Sequence, residues 1–127
     1  MPNPKPNVLI VDDDQTLAEL LKMMLDLSGF EPEAVFSGQE ALDWLGQRQP
    51  DVMVLDLMMP EIDGLTVLRR VRANAAIQSL PIIILTARTD APTHKACHEA
   101  GATALLTKPV SREVLVEQLQ KAVNVNG

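Results

Sequence analysis

"NVLIVDDDQTLAELLKMMLDLSGFEPEAVF", residues 7–36, contains one complete unit of the fold. Its first five residues, 7–11, form a nearly continuous aliphatic run without polar alternation, the mark of a strand buried on both faces. From Leu17 the period changes. Leu17, Leu20, Leu21, Met24 and Leu25 recur at spacings of three and four, which predicts a helix packed through one stripe, and Gly29 marks its stop. A second run, 31–36, follows at once; it is the least apolar and suits an edge strand.

The unit repeats along the chain. Apolar runs recur at 51–56 (DVMVLD), 81–86 (PIIILT) and 102–107 (ATALLT). Between them, Ser37 and Glu40 of "SGQE" make a capping-box pattern ahead of Ala41, Leu42 and Leu45. A third helix is predicted from about Asp63 to Ala73, with Leu65, Leu68 and Val71 inward, and a fourth from about Asp90 to Ala100, stopping at Gly101. A fifth starts at Ser111 as N-cap and sets Val114, Leu115, Leu119 and Val123 on one stripe. Strict strand–helix alternation implies right-handed crossovers and a parallel sheet covered on both faces, an α/β fold with three αβα layers.

The bulk numbers agree with one domain. The chain has 127 residues, 46% hydrophobic and 22% charged, enough for a real core. No run approaches the length of a membrane span. "MPNPKPN" lacks the apolar segment of a secretory signal, so residues 1–6 are expected to be a flexible tail ahead of a domain over 7–125. A formal net charge of -6 opposes direct nucleic-acid binding, and only Trp44, Phe30 and Phe36 are aromatic. Cys97 is the sole cysteine, which excludes an internal disulfide and suits a cytoplasmic location.

Parallel strands end at one edge of the sheet, where ligands bind beside a topological switch point. The exits bring Asp12, Asp13 and Asp14 after the first strand, Asp56 after the third, Thr86 after the fourth and Lys108 after the fifth. A carboxylate within an apolar run needs a partner or a cation. Two unit charges about 4 Å apart repel by about 4 kcal/mol at an effective dielectric near 20. A hard cation relieves that repulsion, and all-oxygen ligands favour Mg²⁺ or Mn²⁺. Lys108 and Thr86 add a positive charge and a hydroxyl, completing an anion site. A carboxylate so placed can attack phosphorus and become an aspartyl phosphate.

"VLIVDDDQT", "VLDLMMPEIDG", "IIILTA" and "LLTKP" resemble, in order and spacing, the four hallmark segments of the receiver (response regulator) domain of two-component signalling. The resemblance covers roughly residues 7–125. It implies a flavodoxin-like fold of strand order 2-1-3-4-5, with Asp56 accepting a phosphoryl group from a sensor histidine kinase or a histidine phosphotransfer protein. It implies that Asp12, Asp13, Asp56 and the backbone carbonyl of Met58 hold magnesium, that Thr86 and Lys108 bind the phosphoryl oxygens, and that the Lys108–Pro109 bond is cis. Phosphorylation would then rebalance the face made by the fourth helix, fifth strand and fifth helix, acting on an unidentified downstream effector or through a phosphorylation-dependent homodimer. No output domain falls within these residues, and no activity is expected beyond the domain's own phosphorylation and dephosphorylation. Two departures stand out. Leu105 replaces the aromatic residue common three positions before the lysine, and Met58 and Arg88 occupy the positions that influence attack by water.

Other readings attach to the same residues. Asp14 suits the N-cap of the first helix. Asp12-x-Asp14-x-Thr16 also matches the first motif of haloacid-dehalogenase-type phosphatases, which place a flap hairpin directly after it; a pseudo-receiver used only for binding is a further alternative. His94, Cys97 and His98 stand at helical spacing formally able to bind zinc, but lack a fourth ligand. Met24, Met53, Met58 and Met59 read as core filling. Met23 and Leu27 point away from the packed stripe of the first helix and suit a docking patch for a kinase helix bundle.

Overall fold

The computed structural model describes residues 5–126. It contains β1 (Asn7–Val11), α1 (Gln15–Leu27), β2 (Glu31–Val35), α2 (Gly38–Leu45) and β3 (Val52–Leu55), then α3 (Gly64–Ala73), β4 (Ile82–Thr86), α4 (Ala91–Glu99), β5 (Ala104–Thr107) and α5 (Arg112–Asn126). The strands are parallel and ordered β2-β1-β3-β4-β5, the flavodoxin-like arrangement expected from the sequence. β2 lies at an edge, as its composition predicts. Residues 1–4 of the expected tail lie outside the described residues, whereas Pro6 accepts the Glu31 N–H at 2.8 Å.

The sheet divides the core by residue parity. Leu9, Met53, Leu55, Ile82 and Ile84 pack with Ala41 and Leu45 of α2, Val67, Leu68 and Val71 of α3, and Cys97 of α4. Val8, Ile10, Val52, Val54, Ile83 and Leu85 pack with Ala18, Leu21 and Leu25 of α1 and Leu115, Leu119 and Ala122 of α5. This two-sided burial explains the unbroken aliphatic runs, and each fully buried Leu or Ile contributes about 1.5–3 kcal/mol. Each helix starts on a side-chain cap: Asp14, Ser37, Asp63, Asp90 and Ser111 accept the N–H of the residue three further on. Glu40 reaches back to the Phe36 N–H at 3.4 Å, one residue before the cap of α2. Gly29 and Gly101, both at φ 95°, end α1 and α4 in a conformation that favours glycine.

Three expectations are corrected. Leu20 is 57% exposed instead of lying on the packed stripe. At 100° per residue it falls well away from the Ala18–Leu21–Leu25 row that meets the sheet, on the side that carries Met23 and Leu27. Val114 is likewise displaced from the Leu115–Leu119–Ala122 row and is exposed. Met58 is exposed instead of filling the core, because the chain has already left β3. α1 begins at Gln15 directly after its Asp14 cap, leaving no room for the flap hairpin of the phosphatase alternative. Among the described residues, no helix is long and apolar enough to cross a membrane.

Candidate functional site

The main-chain ladder continues one step past the strands and fixes where the polar residues stand. Asp12 N–H donates to the Val35 carbonyl (3.2 Å), Asp56 N–H to the Val11 carbonyl (2.9 Å) and Lys108 N–H to the Thr86 carbonyl (2.7 Å). β1 and β3 are neighbours at the point where the strand order reverses, so Asp12, Asp13 and Asp56 meet in the crevice expected of such a sheet. One oxygen from each carboxylate lies within 4.8 Å of the other two. Among the described residues this is the one convergent group of three such ligands, and His94, Cys97 and His98 do not form another.

Asp12 and Asp56 are buried, whereas Asp13 faces solvent. Lys108 Nζ lies 3.0 Å from Asp12 Oδ2 and 3.6 Å from Asp56 Oδ1. Asp12 Oδ1 accepts the Asp14 N–H (2.9 Å), and Asp56 Oδ1 accepts the Met58 N–H (3.3 Å). Burial pushes the Asp56 carboxyl above its ordinary value. The Lys108 ammonium pulls it back, the Asp12 charge raises it, the Met58 hydrogen bond lowers it, and Asp13 raises it again; the net direction is up.

Thr86 ends β4 one strand away from Asp56 and is wholly buried; its hydroxyl oxygen accepts the Arg88 N–H at 3.1 Å. The Lys108–Pro109 peptide is cis. Beyond Asp56 the chain folds back sharply, with Gly64 N–H donating to the Leu57 carbonyl at 3.0 Å. A methyl group at position 64 would collide with the Asp56 carbonyl oxygen, which accounts for glycine in "EIDG". Glu61 in the same loop is held at φ 65°, a left-handed conformation that an L side chain adopts at a cost.

Asp12, Asp13, Asp56, Thr86 and Lys108 thus gather at one rim, while Asp14 turns to cap α1. Met23 (63% exposed) and Leu27 (79% exposed) lie on the outer side of α1, and Leu20 joins them. Leu105 is partly buried against the α2–α4 side of the core. Sequence reasoning missed the ion pair of Arg88 Nε with Asp90 Oδ1 at 2.9 Å; the signal available was an acidic helix cap two residues beyond a basic side chain. The donor set suits a hard divalent cation: carboxylate oxygens alone, two of them buried, against a single ammonium.

Known proteins share both sequence and fold with this chain. The family profile described as response regulator receiver domain matches residues 8–120. Response regulator MprA of Mycobacterium avium is 40% identical over 113 residues, 89% of this chain and 49% of that protein. A putative response regulator from Chloroflexus aurantiacus superposes with a TM-score of 0.90 at 38% identity, covering 94% of this chain and 98% of the other. The signal receiver domain of a signal transduction histidine kinase from Syntrophus aciditrophicus gives 0.89 at 32% identity, covering 94% and 91%. The chain spans about half the length of the curated relatives it matches.

Proposed function

The chain belongs to the receiver domain family of response regulators, a family of phosphoacceptor signalling domains, and from that premise we propose that Asp56 accepts the phosphoryl group. The observation that carries this reading is the convergence of Asp12, Asp13 and Asp56 beside Lys108 at the switch point of the sheet. Asp56 Oδ1 is engaged by the Met58 N–H and faces Lys108, so Oδ2 is the oxygen offered to phosphorus. Asp12, Asp13, Asp56 and the Met58 carbonyl would hold magnesium, with manganese as the substitute; the ion screens the approach of one anion to another. Lys108 and Thr86 bind the phosphoryl oxygens, one as a point charge and one as a hydroxyl donor.

In this reading the domain, over residues 7–125, works in the cytoplasm as a switch and turns over no other substrate. The phosphoryl donor is a sensor histidine kinase or phosphotransfer protein that docks on Leu20, Met23 and Leu27. Drawing Thr86 and Lys108 toward the phosphoryl group rebalances the α4–β5–α5 face for a downstream effector or a homodimer partner. With Leu105 at the switch position, the readout runs without an aromatic rotamer.

Incubation with acetyl phosphate and magnesium tests the assignment. The wild-type chain should be labelled, and Asp56→Asn or an excess of EDTA should abolish the label. Undiminished labelling of Asp56→Asn would overturn the choice of residue; indifference to EDTA would overturn the metal role.

A further inference from the structure

The loop between β4 and α4 carries a second cation, and it is restrained differently from Lys108. The Arg88 N–H donates to Thr86 Oγ1 (3.1 Å), while its side-chain Nε donates to Asp90 Oδ1 (2.9 Å). The other Asp90 oxygen accepts both the N–H (3.1 Å) and the hydroxyl (2.6 Å) of Thr93, forming the cap of α4. The Arg88 carbonyl lies 3.3 Å from His94 Nε2 on the same helix. A continuous chain of hydrogen bonds therefore joins the buried Thr86 hydroxyl, through Arg88, to the first turn of α4. Arg88 and Asp90 also line one groove with Leu57, Met58, Leu65 and Cys97, and the Met58 N–H is bonded to Asp56.

The two side chains of the Arg88–Asp90 pair are 52% and 37% exposed, so solvent screens the pair and leaves it exchangeable. A phosphoryl group brings a charge of about -1.5 to -2 and three acceptor oxygens. That geometry suits a guanidinium fork better than the single Asp90 oxygen that the helix cap leaves over does.

We propose that Arg88 is a positioning residue exchanged between two anions, Asp90 while Asp56 is unmodified and the phosphoryl group once Asp56 carries it. This rests on the reading of Asp56 as the phosphoacceptor. Thr93 remains bonded to Asp90 in both states, so α4 stays capped while the preceding loop loses its tether. Reciprocity follows: weakening the hold of Asp90 on Arg88 strengthens the grip of Arg88 on the phosphoryl group.

Beryllofluoride with magnesium, titrated into the full chain and followed by NMR, tests the exchange as a double-mutant cycle. Asp90→Asn keeps a capping oxygen but removes the charge, and Asp90→Ser supplies a second capped variant should the first fold poorly. The expected result is tighter beryllofluoride binding in Asp90→Asn by about threefold, the scale of an exposed ion pair. In an Arg88→Ala background the same change should have no effect, and in the wild type beryllofluoride should shift the Arg88 Nε–H resonance. An unchanged affinity in both Asp90 variants, or a tightening that persists without Arg88, would overturn the exchange. Failure of the underlying reading looks different: the wild type would take up no beryllofluoride, or Asp56→Asn would bind it as tightly.

Discussion

Lys108 sits closer to Asp12 than to Asp56: its Nζ is 3.0 Å from Asp12 Oδ2 and 3.6 Å from Asp56 Oδ1. The lysine serves chiefly as the counter-ion of the more buried carboxylate, leaving Asp56 only partly compensated. Replacing it with methionine keeps much of the shape and deletes the charge. Lys108→Met should lower stability by about 2 kcal/mol, less than the loss for a fully buried pair, because Lys108 keeps partial contact with solvent. Magnesium should restore more stability to this variant than to the wild type, since the ion would meet less competition. Urea unfolding with and without magnesium measures both effects.

The raised proton affinity of Asp56 sets a direction for pH dependence. In the folded chain Asp56 releases its proton at a higher pH than in the unfolded chain, where the ordinary value is 3.8. The ionised carboxylate therefore destabilises the fold fully above the folded-state pKa, and the penalty fades as pH falls through that pKa toward 3.8. Without magnesium, Asp56→Asn should melt higher than the wild type at neutral pH. The difference should shrink on acidification. A gap that widens at low pH would contradict this account.

The loop after Asp56 holds two residues with opposite tolerances. Glu61 occupies a left-handed conformation, so Glu61→Gly should raise stability by about 0.5–1 kcal/mol. Gly64 faces the Asp56 carbonyl oxygen, so Gly64→Ala should cost about 3 kcal/mol and impair labelling through displacement of Asp56. Thermal melts and acetyl phosphate labelling of the two variants give the comparison.

The outer face of α1 separates two routes of phosphorylation. Leu20→Glu and Leu27→Glu change exposed side chains and should alter stability by no more than about 0.5 kcal/mol. Labelling by acetyl phosphate should be unaffected, whereas transfer from a phosphorylated histidine donor should slow by about tenfold or more. Equal slowing with both donors would remove α1 from the docking surface.

The strand exits were legible in the sequence because buried parallel strands are continuous aliphatic runs, and the first polar residue after each run marks the rim. Asp12, Asp56, Thr86 and Lys108 declared themselves in this way. What each contacts was not legible, because the Lys108–Asp12 pairing joins residues 96 apart and depends on side-chain reach across the crevice. Leu20 was misassigned because spacings of three and four also describe the row beside the packed one. The Arg88–Asp90 pair left no periodic trace; it lies in a loop, where only caps and turns are patterned.

The rungs joining Asp12 to Val35, Asp56 to Val11 and Lys108 to Thr86 involve only peptide groups. The alignment of these positions is therefore held by the main chain, separately from whatever the side chains mounted there add to or subtract from stability. Evolution or a designer can refit the rim residue by residue, altering the chemistry while the alignment of mounting points stays as it was.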